Sequence, residues 1–285
     1  MHKDLETRKV ARCASVAAEP PCRLSFAART GLTAGHTPHW PQLQAKKDVH
    51  VWAAWLDLPA FAVSRSASSL CAQERERASR FRFDQHRNRF IVGRAVLRTI
   101  LGHYLDRAPQ TIVFANGPSG KPAIEGQVKD NSLHFNLTHS EALMLAAVTR
   151  CGPLGIDVER IKPMRDADDL VARFFSPREN EAFRKLPPHQ QSAAFFNLWT
   201  RKEAWLKATG EGIARFLNQV EVTFLPGEPA RLIDLPRGFQ SAAKWSLHDL
   251  APAPGYVGAL AVTIEQPRIT CWQWEGSDLA DKGHA

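Results

Sequence analysis

The stretch Leu154-Gly155-Ile156-Asp157-Val158-Glu159 decides how the rest of the chain is read. Leu154, Ile156 and Val158 alternate with Gly155, Asp157 and Glu159. That is the period of a strand, so both carboxylates leave the same face. About forty residues on stands Trp199-Thr200-Arg201-Lys202-Glu203-Ala204-Trp205-Leu206-Lys207, which reads as a helix. Glu203 and Lys207 are four apart and neighbour each other on one side of it. Brought together, the two stretches set Asp157, Glu159 and Glu203 beside one ammonium. Three carboxylates make a hard oxygen cage suited to Mg²⁺, which keeps waters and takes substrate phosphates as further ligands. Lys207 would then meet a phosphate or a leaving group. Each piece also has a plainer reading. Asp-x-Glu serves as a solvated strand face, and Glu203 with Lys207 as a surface pair worth a few tenths of a kcal/mol. Trp199, Trp205 and Leu206 around the pair favour a packed helix whose charges sit at the rim of a site.

At 285 residues the chain has room for one large domain or two ordinary ones, and 44% apolar residues supply a core. A formal charge of +8 points to acidic partners: nucleic acid, an anionic cofactor or an acidic protein. The excess is uneven. Residues 1–48 hold eight Lys/Arg against four Asp/Glu, and eight arginines lie between Arg75 and Arg98 with only Glu76 and Asp84. These arginines read most simply as a solvated basic face. A nucleic-acid partner is not expected, because no aromatic stacking motif or helix-turn-helix spacing accompanies them. Five cysteines, odd in number and without Cys-x-x-Cys, argue against a disulfide framework or zinc site and for a reducing, cytoplasmic setting. No apolar run approaches the roughly 20 residues of a membrane helix, and Ala14–Ala18 is too short for a signal peptide.

Residues 1–47 read as a disordered basic leader, broken by Pro20-Pro21, Pro38 and Pro41. A targeting arm is the alternative. From Val49 the pattern turns regular, with a strand at 50–56, a basic helix over 69–83 and a longer helix over 85–105 with an apolar face. Further on come a strand at 111–114, a loop at 116–122, a buried strand at 142–148 and a turn at Cys151-Gly152-Pro153. Ser176-Pro177-Arg178-Glu179 opens a helix with an N-cap, a first-turn proline and a capping-box glutamate, and Pro187-Pro188 ends it. The helix of Glu203 is expected to stop at Gly210 and Gly212. Strands at 220–224, 244–248 and 256–264 form an antiparallel sheet, to which 268–274 adds one more. The expected division is a leader at 1–47, an N-terminal half at 48–151, a C-terminal half with the metal site at 152–275 and a frayed tail at 276–285. A Walker A loop is excluded around Lys121, and His139-Ser140 makes a poor hydrolase pair because adjacent residues do not easily form the required hydrogen bond.

Gly-Ile-Asp-x-Glu, followed in register by Trp-Thr-x-Lys-Glu-Ala-x-x-Lys, resembles the signature of the 4'-phosphopantetheinyl transferases of the Sfp type. Gly120-Lys121-Pro122 and Asn136-Leu137-Thr138-His139-Ser140 resemble two further motifs of that family, and the resemblance covers roughly 49–265. It implies an α+β fold: a pseudo-dimer of two similar halves, each a small antiparallel sheet on a long helix, with the site in the cleft between them. It implies a monomer that moves the 4'-phosphopantetheine arm of coenzyme A to a serine of an apo acyl or peptidyl carrier protein and releases adenosine 3',5'-bisphosphate. By the same resemblance Asp157, Glu159 and Glu203 hold Mg²⁺, and Glu203 or a metal-bound water takes the serine proton. Lys207 neutralises or protonates the leaving phosphate. Arg89 holds the 3'-phosphate of coenzyme A, with Arg77 a nearby basic position. Lys121 and Pro122 lie against the adenosine, and Thr138 and His139 meet the phosphates. Two rivals share these residues: a metal-dependent phosphohydrolase and a non-catalytic binding protein.

Overall fold

The structure, a computed structural model, describes residues 24–25, 40–44, 47–117, 120–127, 132–164, 167–210, 216–239 and 242–275. The expected tail, Gly212 and most of the expected leader lie outside them. Part of that leader is ordered. Leu24–Ser25 forms a short strand (β1), and Trp40 packs in tilted contact on Trp52 and stacks on His103.

The fold is α+β, built from two four-stranded sheets and two 22-residue helices. Asp48–Trp55 is β2, followed by α1 (Ala60–Ala67), α2 (Ala72–Ser79) and α3 (Asp84–Leu105). A small hairpin comes next, β3 (Phe114–Asn116) with β4 (Pro122–Ile124), then β5 (His134–Ser140), β6 (Leu143–Thr149) and β7 (Leu154–Arg160). Helices α4 (Ala167–Phe174), α5 (Pro177–Arg184) and α6 (Pro188–Thr209) lead to a second small hairpin, β8 (Glu221–Val222) with β9 (Leu232–Asp234). Strands β10 (Ser246–Ala251), β11 (Tyr256–Val262) and β12 (Arg268–Gln273) complete the chain. One sheet runs β12-β2-β6-β5 and the other β1-β10-β11-β7.

Alternation along the strands builds the layers. In β2 and β6, Val49, Val51, Ala53, Leu143, Leu145 and Ala147 face Leu154, Ile156, Val158, Leu260 and Val262 of the other sheet. The opposite faces, with Trp52, Ala54, Met144 and Val148, take the apolar stripe of α3: Val92, Val96, Leu97, Ile100 and Leu101. On the far side Val257, Ala259 and Ala261 of β11 receive α6 through Leu198, Trp205 and Ala208. Two sheets thus pack face to face, with one long helix covering each outer surface. This is the layering expected when every strand must bury both faces.

Several sequence expectations change, two of them because a distant side chain takes backbone groups. The expected strand at 111–114 is instead a 3₁₀ turn at Pro109–Thr111, with β3 beginning at Phe114. Arg98 Nη1 donates to the carbonyls of Pro109 (2.8 Å) and Ile112 (2.9 Å), which removes them from any ladder. The strand at 220–224 shortens to β8 because Val222 N donates to Glu179, while Thr223 O accepts from Arg201. The last strand, β12, joins the N-terminal sheet, parallel to β2, rather than its sequence neighbours. Arg268 on Asp48 (2.6 Å) and the tryptophans 272 and 274 against Trp52 hold it there. Helix α1 goes unread in the sequence. Pro188 starts α6, and α5 already ends at Arg184. The Ser176–Glu179 capping box forms as expected, and Gly210 closes α6 in the left-handed region (φ 76°).

Candidate active site

Strand β7 runs along the edge strand β5 of the other sheet, and the two are stitched by side chains. Asn136 Oδ1 accepts from Ile156 N at 2.9 Å, Thr138 Oγ1 donates to Asp157 Oδ1 at 2.9 Å, and Ser140 Oγ donates to Glu159 Oε2 at 2.7 Å. The alternation of β5 explains the motif Asn-Leu-Thr-His-Ser. Positions 136, 138 and 140 turn to β7, while Leu137 and His139 line a cavity on the other side. The stitching roles of Asn136 and Ser140 were not read from the sequence, although their two-residue spacing from Thr138 carries the signal.

Helix α6 crosses β7 at Gly155. A Cβ there would stand 2.1 Å from the Ala204 carbonyl oxygen and 2.3 Å from the Ala208 amide, so only glycine permits this approach. The approach brings Lys207 Nζ to 2.6 Å from Asp157 Oδ1 and 3.3 Å from Thr138 Oγ1. Asp157 and Glu203 are both 3% exposed. Asp157 Oδ2 and both Glu203 oxygens are buried without a hydrogen-bond partner. Burial raises the pKa of all three carboxyls. It pushes Glu203 up to about 7, with the Asp157 and Glu159 charges adding to the rise and Lys207 opposing it. The two stretches with which the sequence reading began therefore meet, with Asp157, Glu159, Glu203 and Lys207 acting on one another.

Among the described residues no three His, Cys, Asp or Glu side chains form a ready-made metal cage. What the site presents is an oxygen-only donor set with unbonded, buried lone pairs, which is the chemistry of a hard divalent cation. The other members of the helical signature are structural. Arg201, 1% exposed, binds Asp249 and the Thr223 and Glu228 carbonyls. Lys202, fully buried, sits 2.6 Å from Glu179 Oε2 and 2.7 Å from the Leu217 carbonyl.

The cavity on the Leu137 and His139 side of β5 has a volume of about 680 Å³ and is not lined by the three carboxylates. Its apolar wall includes Leu56, Phe90, Phe114, Leu137 and Met144, and its polar groups include Arg77, Arg89, Arg94 and His139. Pro122 also lines it. Arg77 is exposed, its guanidinium 5.3 Å from the Phe90 ring centroid. The His139 side chain lines the cavity while remaining partly open to solvent, and partial desolvation together with the Lys207, Arg89 and His86 charges lowers its pKa. Arg89 is held by Asp57 through two parallel bonds of 2.7 Å. Arg94 and Arg98 depart from the solvated face expected of the basic helices. They converge on buried Glu74, Arg94 Nε at 2.6 Å and Arg98 Nε at 2.7 Å, and both lie over the Phe114 ring. A buried carboxylate draws guanidinium groups inward, and nothing in the local pattern distinguishes these two arginines from their exposed neighbours. Two expected ligands face elsewhere. The Thr138 hydroxyl points at Asp157, and the Lys121 ammonium bonds to backbone carbonyls across the cleft. Burial pushes the pKa of Lys121 down to about 8.

Known proteins resemble the chain over most of its length. The family described as the 4'-phosphopantetheinyl transferase superfamily matches residues 153–263, and the one described as 4'-phosphopantetheinyl transferase, N-terminal, matches residues 59–150. The chain is 43% identical over 226 residues to the 4'-phosphopantetheinyl transferase HetI of Nostoc sp., covering 79% of this chain and 92% of that protein. It is 31% identical to a 4'-phosphopantetheinyl transferase of Bacillus subtilis, covering 67% and 83% of the two chains. It is 28% identical to the 4'-phosphopantetheinyl transferase Sfp of Bacillus subtilis strain 168, covering 55% and 68%. Asp157 and Glu203 with their unbonded oxygens, Lys207 beside them and the arginines of the cavity fall within the two matched segments, and the chain belongs to the 4'-phosphopantetheinyl transferase superfamily of enzymes.

Proposed function

We propose that the protein is of the Sfp type and transfers the 4'-phosphopantetheine arm of coenzyme A to a serine hydroxyl of an apo acyl or peptidyl carrier protein. The other product is adenosine 3',5'-bisphosphate. The observation that carries this reading is the trio of unbonded buried oxygens, Asp157 Oδ2 and Glu203 Oε1 and Oε2, next to the ammonium of Lys207. Such a site favours a divalent cation together with a pyrophosphate. Asp157, Glu159 and Glu203 would hold Mg²⁺, which when bound neutralises charge on the pyrophosphate oxygens.

The chain's own residues do the rest. Arg89, Arg77 and His139 seat the phosphates in the cavity, and Pro122 borders the adenosine. The serine oxygen attacks the phosphorus that bears the pantetheine arm. A new bond forms between that oxygen and phosphorus, and the bond from the phosphorus to the oxygen of the adenosine-side phosphate breaks. Glu203 accepts the serine proton, and Lys207 neutralises the departing phosphate, to which it can give a proton. Thr138 and Ser140 orient Asp157 and Glu159 throughout. Arginines at the cavity mouth suit an acidic carrier surface.

We read the two halves, 48–151 and 152–275 except for β12, which pairs into the first sheet, as a pseudo-dimer; a long helix on the outer face of each sheet supports it. We read the protein as a cytoplasmic monomer without nucleic-acid or membrane partners. No described helix is long and apolar enough to cross a membrane. The test is intact mass of an apo carrier protein incubated with this protein, coenzyme A and Mg²⁺, with an EDTA control. A gain of one phosphopantetheine arm, lost with EDTA, is the expected result. Breakdown of coenzyme A without carrier modification would replace the reading with hydrolysis, and binding without either would leave a carrier of coenzyme A.

A further inference from the structure

Lys121 sits in the loop between β3 and β4, and its two neighbours, Gly120 of the loop and Pro122 at the start of β4, line the cavity. Lys121 itself turns the other way. Its ammonium donates to the carbonyl of Leu154 at 2.8 Å, the first residue of β7, and to those of Lys207 at 2.7 Å and Ala208 at 3.5 Å in the last turn of α6. Among the described residues no carboxylate forms an ion pair with it.

Helix ends leave their final carbonyls without intrahelical partners, and a cation there satisfies them and complements the negative end of the helix dipole. The end capped here is that of the helix bearing Glu203 and Lys207. Residue 207 is therefore gripped twice: its side chain by Asp157 and Thr138, its carbonyl by Lys121. The loop making the second grip touches the cavity on one side and the catalytic helix on the other, and it spans from one sheet's half to the other's.

We infer that Lys121 is a positioning residue: it caps α6 from the cavity loop and sets the place of Lys207, and it does not contact the coenzyme. The inference rests on the transferase reading for its catalytic consequence. A ligand role for Lys121 would appear in affinity for coenzyme A; a positioning role appears in turnover, because a displacement of about 1 Å at a reacting group costs on the order of 100-fold.

The test compares Lys121→Met and Lys121→Arg with the parent. For Lys121→Met, kcat at saturating coenzyme A is expected to fall roughly 10- to 100-fold while the Kd for coenzyme A, from calorimetric titration, stays within about threefold. Lys121→Arg, which keeps a donor for the carbonyls, is expected to recover most of kcat. Amide hydrogen exchange at residues 205–210 is expected to quicken in Lys121→Met, and bound coenzyme A is expected to slow it in the parent but not in the variant. An increase in Kd of tenfold or more with unchanged kcat would overturn the inference, making Lys121 a ligand. Unchanged exchange at 205–210 would overturn it as well. Should the parent prove unable to modify any carrier, the transfer reading fails alone, and the exchange and affinity measurements still decide the role of Lys121. If Lys121→Met does not fold, the Arg variant's kcat and exchange decide it.

Discussion

Gly155 and Ala204 touch backbone to backbone: a methyl group on Gly155 would stand 2.1 Å from the Ala204 carbonyl oxygen. That contact sets how near β7 lies to α6, and hence that Lys207 reaches Asp157. Gly155→Ala must separate the two elements. The expected outcome is a loss of about 3 kcal/mol or more in stability, measured by urea unfolding, with transferase activity falling further than the folded fraction. A variant as stable and active as the parent would show that β7 and α6 can separate without consequence.

Glu203 is buried with neither oxygen bonded and with two like charges acting on it. Glu203→Gln keeps the shape and removes a repelling charge, so its melting temperature should equal or exceed that of the parent. Transfer should fall by roughly 1,000-fold or more, read as intact mass of the carrier, since both a cation ligand and the base are lost. Near-parental activity would reject the role assigned to Glu203.

Arg89 lines the cavity with its guanidinium oriented by two bonds to Asp57. If it meets the 3'-phosphate, Arg89→Ala raises KM for coenzyme A by roughly 10- to 100-fold. The same variant should show little change with 3'-dephospho-coenzyme A. Equal losses with both substrates would move Arg89 to another part of the ligand.

Lys202 neighbours Glu203 in sequence but serves the core, paired at 2.6 Å with Glu179 and fully buried. Lys202→Met leaves Glu179 unpaired and should cost about 3–5 kcal/mol. Adding Glu179→Gln removes the uncompensated charge and should restore part of it, since one glutamine oxygen can accept from only one of the Ser176 and Val222 amides that the two carboxylate oxygens now serve. The check is urea unfolding of the single and double variants.

His50 is buried in β2, its Nδ1 2.6 Å from the Tyr104 hydroxyl oxygen. Burial pushes its pKa from 6.5 down to about 4, over the opposing pull of Asp48. The unfolded chain therefore binds the proton more readily, and stability falls as pH falls from about 6.5 toward 4, by roughly 3 kcal/mol across the window. In His50→Gln that acid dependence should shrink. Unfolding free energies at pH 7 and pH 5 test this, and an unchanged difference between them would place the acid sensitivity elsewhere.

What was legible in the sequence was whatever local periodicity encodes. The alternation through Asp157 and Glu159, the four-residue step from Glu203 to Lys207, the Ser176–Glu179 cap and the stop at Gly210 each depend on residues a few places apart. Those features sufficed for the α+β class and for the three carboxylates with their lysine. Side-chain partners drawn from afar were not legible. Lys121 meets carbonyls of residues 154 and 207, Arg98 turns inward to Glu74, Thr138 turns to Asp157, and β12 crosses to β2. In each case a buried polar group must find a partner once water is removed, and which partner is within reach is settled only when the two sheets and their helices have packed.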